Sequence, residues 1–138
     1  MQFSHSLQTT ASPEKIWNIW TDVKNWKNWD LGLKDAQIKG TFDQDAEGVI
    51  TIGKGSKAPF KVTTYKPNFT YTFTSRLPFA KLHVRRLIGY HNQKSIITHE
   101  IFLEGPLAGF WAQMFGKKYI KLLPRVIEKV KQLAESSQ

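Results

Sequence analysis

The sequence contains no cysteine, so disulfide bonds and a thiolate nucleophile are both excluded. It also lacks any run approaching the ~18 apolar residues that a membrane span needs. The first residues, MQFSHSLQTT, have neither the basic start nor the apolar stretch of a secretory signal. These absences predict a soluble, unprocessed chain in the cytoplasm, whose chemistry would depend on His, Tyr, hydroxyl, basic or carboxylate groups.

Acidic residues are missing from the middle of the chain. Residues 48–99 hold nine Lys or Arg and no Asp or Glu, and they supply the whole formal net charge of +9. Such a stretch could attract an anionic membrane or a nucleic acid. A solvated outer face of strands is the simpler explanation. No nucleic-acid-binding motif accompanies the basic residues, so we do not expect nucleic acid as the partner.

The residue pattern changes twice along the chain. Alternation over residues 2–9 predicts a first strand, and Ser12 predicts the start of a helix. Asp22 is expected to cap a second short helix. Short runs rich in Thr, Val, Ile, Phe and Tyr then predict antiparallel strands at 35–42, 48–54, 58–66, 69–76, 80–90 and 95–104. Residues 107–134 predict one long helix that Pro124 should kink or restart.

The last two strands can be paired residue by residue. A turn at residues 91–94 places Arg86 opposite His99, on a face that is otherwise apolar. Polar side chains buried there need partners. One interpretation is that Arg86 and His99 bond to each other, to tyrosines, to backbone or to water. The other is that Arg86 anchors an anionic group of a ligand while His99 forms a hydrogen bond; in an enzyme they would be oxyanion stabiliser and general acid–base.

The interior is expected to hold neither a carboxylate nor a metal. Asp and Glu fall mainly in the predicted helices, turns and strand ends, which weakens the case for an enzyme. His83, His91 and His99 are evenly spaced, but the register places them on the outer face, in the turn and inside, so they do not converge on one ion. We therefore predict no metal and no cofactor.

Four segments resemble the START/polyketide-cyclase (SRPBCC) superfamily: AlaSerProGluLysIleTrp at 11–17, ThrAspValLysAsnTrpLysAsnTrpAsp at 21–30, TyrLysPro at 65–67 and ThrHisGluIlePheLeuGluGlyProLeu at 98–107. The resemblance covers nearly the whole chain. It implies a single α+β helix-grip domain, 1–138, in which a curved antiparallel sheet of about seven strands wraps around a long C-terminal helix, with two short helices between strands 1 and 2. It also implies a cavity between sheet and helix, closed at one end by the short helices. It implies no particular reaction, since the superfamily has no shared catalytic motif.

We predict from this that the protein binds or transports a hydrophobic or amphipathic small molecule, lipid- or polyketide-like, that can carry an anionic head. The alternatives are a cyclase or dehydratase acting through His99 and Arg86, and a surface binder of anionic membrane or nucleic acid. We expect a monomer or a homodimer. Trp17 and Trp20 are expected in the core, and Trp26 and Trp29 at the cavity mouth. The predicted lining consists of Phe60, Val62, Tyr71, Phe73, Val84, Arg86, Ile97, His99, Ile101, Phe115 and Tyr119.

Overall fold

The computed structural model describes residues 2–52 and 55–136, with the side chains of residues 115–117 outside the described part. Among the described residues, no helix is long and apolar enough to cross a membrane. The elements follow the predicted order: β1 (Gln2–Thr9), α1 (Pro13–Thr21), a 3-10 helix (Val23–Asn28), β2 (Leu33–Ile38), β3 (Glu47–Ile52), β4 (Ser56–Lys66), β5 (Thr70–Leu77), β6 (Ala80–His91), β7 (Lys94–Glu104) and α2 (Ala108–Ser136).

The strands form one seven-stranded antiparallel sheet in the order β1-β7-β6-β5-β4-β3-β2. Because each strand from β2 to β7 pairs with the next along the chain, short hairpins make these connections. The first strand crosses over to pair with the last. The sheet curls around α2, which packs on β1, β6, β7 and α1. This is the helix-grip arrangement that the resemblance implied, and the predicted fold class is confirmed.

The predicted register of β6 and β7 is confirmed. Arg86 lies opposite His99, and Tyr90 lies opposite Ser95. The turn is tighter than expected, because the strands continue to His91 and Lys94 and leave only two residues between them. Both turn residues, Asn92 and Gln93, have positive φ, 51° and 65°. Such backbone angles match the right-handed twist of the flanking strands.

Both short helices begin where they were predicted, but only the first has a side-chain cap. The Ser12 hydroxyl accepts a hydrogen bond from the Lys15 amide at 3.3 Å, which satisfies one free donor of the first turn of α1. Asp22 occupies the N-cap position of the 3-10 helix as predicted, but its side chain makes no capping hydrogen bond to the backbone there. Asp22 is the single residue between α1 and the 3-10 helix. Its carboxylate accepts a hydrogen bond from the Asn25 side chain at 2.7 Å.

The C-terminal helix is continuous. Pro124 lies inside α2, and the helix does not restart there as one of the two expectations had it. Leu123, Val126, Ile127 and Val130 on its second half are buried. Since they recur at helical spacing, they form the face that the sheet covers.

Candidate functional site

Arg86 is the most deeply buried charge in the described chain, with 0% of its surface exposed. Its Nη2 donates to Asp30 Oδ2 at 3.0 Å, and its Nη1 donates to the Tyr71 hydroxyl at 2.5 Å. The guanidinium carbon lies 4.7 Å from the ring centre of Trp29 and 4.9 Å from that of Trp26. Aromatic faces attract a desolvated cation, so these rings add to the stabilisation by the ion pair.

Asp30 is the carboxylate that the sequence did not reveal. It is 2% exposed, and its Oδ1 accepts from the Gly32 amide at 3.3 Å and from the Tyr119 hydroxyl at 3.2 Å. Burial raises the pKa of Asp30, and the positive charge of Arg86 opposes that rise. The expectation of no inward carboxylate is wrong. Asp30 follows the last tryptophan in an irregular turn, where no periodicity shows which side chains point inward.

Tyr71 connects this ion pair to the first helix. Its hydroxyl donates to the Trp20 carbonyl at 2.7 Å, and Trp26 Nε1 donates to the same oxygen at 2.8 Å. Burial raises the pKa of Tyr71 to about 12, so the hydroxyl stays protonated and keeps this bond. Arg86, Asp30, Tyr71 and Tyr119 thus form one hydrogen-bonded cluster, which we call the Arg86 network.

Glycine at position 32 allows Tyr119 to reach Asp30. A Cβ at Gly32 would come within 2.6 Å of the Tyr119 ring, closer than any side chain tolerates. Burial and the neighbouring Asp30 hold the pKa of Tyr119 well above its ordinary value, so its hydroxyl remains a donor. Any larger residue at 32 would displace Tyr119, whose hydroxyl donates to the Asp30 carboxylate.

His99 lies on β7 beside the Arg86 network. It faces Arg86 on β6 and His5 on β1, and it is 2% exposed. Within the described chain its Nε2 has no hydrogen-bond partner. Burial first and Arg86 second lower the pKa of His99 well below 6.5, so the imidazole is neutral in the folded protein.

This depressed pKa predicts acid sensitivity. In the unfolded chain His99 gains a proton near pH 6.5, whereas in the folded protein the imidazole stays neutral to lower pH. The contribution of His99 to the free energy of unfolding is therefore complete above that pH and declines below it, by at most ~1.4 kcal/mol per pH unit. Asp30, with its raised pKa, acts in the opposite direction. The free energy of unfolding is measured for the wild type and for His99→Gln from about pH 7.5 down to about pH 5. The difference between the two proteins isolates the contribution of the histidine. A difference that does not change over this range would contradict the assignment.

A cavity of about 480 Å³ lies between the sheet and the first half of α2. Most of its lining is apolar, from β1, β3, β5, β6 and β7. The polar lining residues are Asp30, Lys34, Lys118 and Tyr119. The remaining lining residues are Phe3, Leu31, Gly32, Leu33, Ile50, Ile52, Phe73, Leu77, Leu82, Val84, Ile101, Leu103, Met114 and Leu122.

The cavity opens between the start of β2 and the first half of α2. Of its lining residues, only Leu31, Lys34, Met114 and Lys118 are exposed, and these four define the mouth. Asp30 is buried, and its hydrogen bond to Tyr119 lies in the cavity wall. The polar ends of the cavity therefore differ: two ammonium groups at the mouth, and a carboxylate with a phenol within.

The predicted lining residues divide into two groups. Phe73, Val84, Ile101 and Tyr119 line the cavity. The others with described side chains are buried nearby but lie outside the lining: Phe60, Val62, Tyr71, Arg86, Ile97 and His99. The side chain of Phe115 lies outside the described part of the chain. Strand alternation identified the inward face, but it does not distinguish the part that borders the cavity from the part that other side chains cover.

Trp26 and Trp29, expected at the cavity mouth, are instead 0% and 1% exposed and lie outside its lining. The ring of Trp26 lies 5.3 Å from that of Phe73 and 5.6 Å from that of Phe60, centre to centre. In the core, the rings of Trp26 and Trp29 both cover the Arg86 guanidinium. Trp17 and Trp20 are buried as expected and anchor α1.

Metal ligands do not converge in the part of the chain that the structure describes, where no group of three His, Cys, Asp or Glu could hold an ion. His83 lies on the outer face of the sheet, with Nε2 2.8 Å from Glu104 and Nδ1 2.8 Å from the Thr74 hydroxyl. The hydrogen bond and the charge of His83 lower the pKa of Glu104.

Solved structures with the same fold cover the chain from end to end. Protein MLL2253 from Mesorhizobium loti matches with a TM-score of 0.79 and 17% identity, over 100% of this chain and 99% of its own. Ara h 8.0201 matches with a TM-score of 0.70 and 15% identity, over 99% and 98%. The di-domain ARO/CYC StfQ from the steffimycin biosynthetic pathway matches with a TM-score of 0.77 and 8% identity, over 99% of this chain and 51% of its own. No protein-family model matches the sequence, and neither does any curated protein. At these identities the likeness establishes the helix-grip fold alone.

Proposed function

On a helix-grip fold that encloses an apolar cavity, we propose that the protein binds a hydrophobic or amphipathic small molecule between the sheet and α2. The cavity itself is the observation that carries this proposal. Its volume of about 480 Å³ falls within the range of small-molecule sites, which are mostly apolar with a few placed polar groups. The four polar lining residues would orient the ligand, and the apolar walls would bind most of it.

The charges around the cavity favour a ligand whose anionic head stays at the mouth. Arg86, which one of the two interpretations of the sequence made the ligand's anchor, already bonds to Asp30 and Tyr71 and lies outside the lining. An anion that entered head first would approach the buried carboxylate of Asp30, and like charges at short range repel strongly in a poorly solvated site. Lys34 and Lys118 at the mouth would attract the same head group.

The structural neighbours are compatible with such a function. StfQ is a di-domain ARO/CYC from the steffimycin biosynthetic pathway, and an organic ligand in the cavity of this chain is compatible with that neighbour. A fold hosts many functions, so this supports the ligand class more than a reaction. The cytoplasmic location expected from the sequence stays a prediction.

A variant that narrows the cavity tests the proposal. Leu82 is half-buried and lines the cavity, so the larger indole ring of Leu82→Trp should occupy part of it and weaken binding of dodecanol and dodecanoate by at least about tenfold. Ile96 is equally half-buried, on the opposite face of the sheet. Ile96→Trp should leave both affinities within about twofold. Fluorescent-probe displacement measures the affinities, and native mass spectrometry of gently purified protein detects a bound ligand.

Three results would overturn the proposal. The first is a wild type that binds neither dodecanol nor dodecanoate and carries no ligand when purified. The second is a Leu82→Trp variant that binds as tightly as the wild type. The third is an equal loss of binding in both tryptophan variants.

An enzyme of cyclase or dehydratase type remains the second candidate, with different residues from those expected. Asp30 and Tyr119 contact the cavity and each other, whereas His99 and Arg86 lie outside its lining. A buried carboxylate with a raised pKa suits general acid–base chemistry. Tyr119→Phe should stop conversion of the recovered ligand, followed by mass for loss of water and by chromatographic retention for ring closure, while binding persists. A ligand whose mass and retention never change with the wild type favours the carrier.

A further inference from the structure

Apolar side chains gather at the end of the molecule where β5 turns into β6 and α2 begins. Phe79, Leu107, Phe110 and Met114 are 74%, 38%, 50% and 59% exposed; we call these four residues the end surface. The backbone holds them together, because the Leu107 amide donates to the Phe79 carbonyl at 3.0 Å. A clustered group of exposed apolar side chains, unlike a single one, marks an interaction surface.

Phe79 occupies a position that suits a phenylalanine poorly. It lies in a two-residue turn between the paired residues Leu77 and Ala80, with φ at 57°. Turns of this kind favour glycine or asparagine. The other described non-glycine residues with positive φ are all polar: Asp45, Asn68, Asn92 and Gln93. A large ring that is both exposed and held in an unfavourable backbone conformation indicates a contact made outside the molecule.

Two basic side chains lie next to the end surface, on its β5–β6 side. Arg76 and Lys81 are both exposed and face each other across β5 and β6, one pair beyond the turn. Residues 105–127 contain four Lys or Arg and no acid. Glu104 lies opposite Lys81 across β6 and β7, and it is also paired with His83. A helix start with aromatic and apolar side chains next to lysines is the pattern of segments that lie in an anionic membrane interface.

We propose that the end surface docks on an anionic lipid membrane. Phe79 and Phe110 enter the boundary between headgroups and acyl chains, and the flanking Lys and Arg contact the phosphates. Met114 belongs both to the end surface and to the cavity mouth, so docking brings the mouth to the lipid. The docking itself does not depend on the ligand: a chain with an empty cavity has the same surface.

Co-sedimentation with vesicles tests the proposed docking of the end surface on lipid. The intact chain should bind vesicles of three parts phosphatidylcholine to one part phosphatidylglycerol at least about tenfold more tightly than phosphatidylcholine alone, and high salt should weaken the binding. Phe79→Asn and Phe110→Ser should each reduce binding by at least about fivefold. Phe69 is 48% exposed at the opposite end of β5, so Phe69→Asn should bind like the wild type.

Phe79→Asn also separates docking from a structural role. Asparagine adopts positive φ more readily than phenylalanine, so this variant should melt at a temperature no lower than the wild type while it loses vesicle binding. The proposal is overturned if the wild type does not bind anionic vesicles, or if Phe79→Asn and Phe110→Ser bind them like the wild type. It is also overturned if Phe69→Asn loses as much vesicle binding as those two variants. A wild type that dimerises through these phenylalanines and ignores vesicles would identify the surface as a protein interface and overturn it as well.

Discussion

Replacing Arg86 with methionine is expected to lower the free energy of unfolding by about 3–5 kcal/mol, because it leaves the buried carboxylate of Asp30 without its cation. Asp30 is 2% exposed, so water cannot replace the lost partner. The neighbouring Arg85 is the matched control. It pairs with Glu100 at 3.0 Å, but its side chain is 51% exposed, so Arg85→Met should cost at most ~1 kcal/mol. Urea unfolding measures both.

The double variant Asp30→Asn/Arg86→Met sharpens this test. If the cost of Arg86→Met comes from an unpaired charge, removal of both charges should cost clearly less than the sum of the single variants. Equal losses of stability for Arg86→Met and Arg85→Met, or strictly additive losses in the double variant, would contradict this. Either result would show that the Asp30–Arg86 ion pair does not stabilise the fold.

Replacing Trp26 with alanine should cost about 3–5 kcal/mol, as expected for a large buried aromatic. Trp26 is 0% exposed, and its ring packs against both Phe73 and the Arg86 guanidinium. Its Nε1 also donates to the Trp20 carbonyl, so the variant loses a buried hydrogen bond. Phe69→Ala, at a side chain that is 48% exposed, should change stability by no more than ~0.5 kcal/mol.

The same pair of variants also decides between two roles for Trp26. A residue at a cavity mouth would tolerate truncation and would change the rate of ligand entry. A residue in the core would destabilise the fold when truncated. A Trp26→Ala protein with wild-type stability would restore the mouth assignment that the sequence suggested.

Local pattern was enough to predict much of the fold. The Ser12 cap, the alternation in β1 and the pairing of Arg86 with His99 were all correct, because each depends on residues close in sequence or on one short hairpin. The tyrosine partner of Arg86 was also among the interpretations considered, and Tyr71 fills that role.

The site could be predicted only in part. Asp30 reaches Arg86 across 56 residues of sequence from an irregular turn, and no periodic signal marks such a turn. The alternation of strands showed that Phe60, Phe73 and Val84 share a face, but not that α1 and the 3-10 helix cover one end of it. Which part of a concave face stays open depends on how long-range elements pack, and this information is not local.

The interior is consequently divided. At the end covered by α1 and the 3-10 helix, the Arg86 network and the tryptophans fill the space. Towards the first half of α2, the cavity remains between Ile50, Ile101 and Leu103. Asp30 and Tyr119 lie at the boundary, since they belong to both the network and the cavity wall. The packed end of the interior thus stabilises the fold around the cavity at the other end.

Methyl NMR of the protein with bound dodecanoate tests the central claim, ligand binding in this cavity, most directly. Ile50, Ile101 and Leu103 line the cavity, whereas Val62 and Ile97 are equally buried but lie outside the lining. We predict intermolecular NOEs from the acyl chain to the first three residues and none to the other two. NOEs restricted to exposed side chains such as Leu107, or no intermolecular NOEs under saturating ligand, would contradict the account.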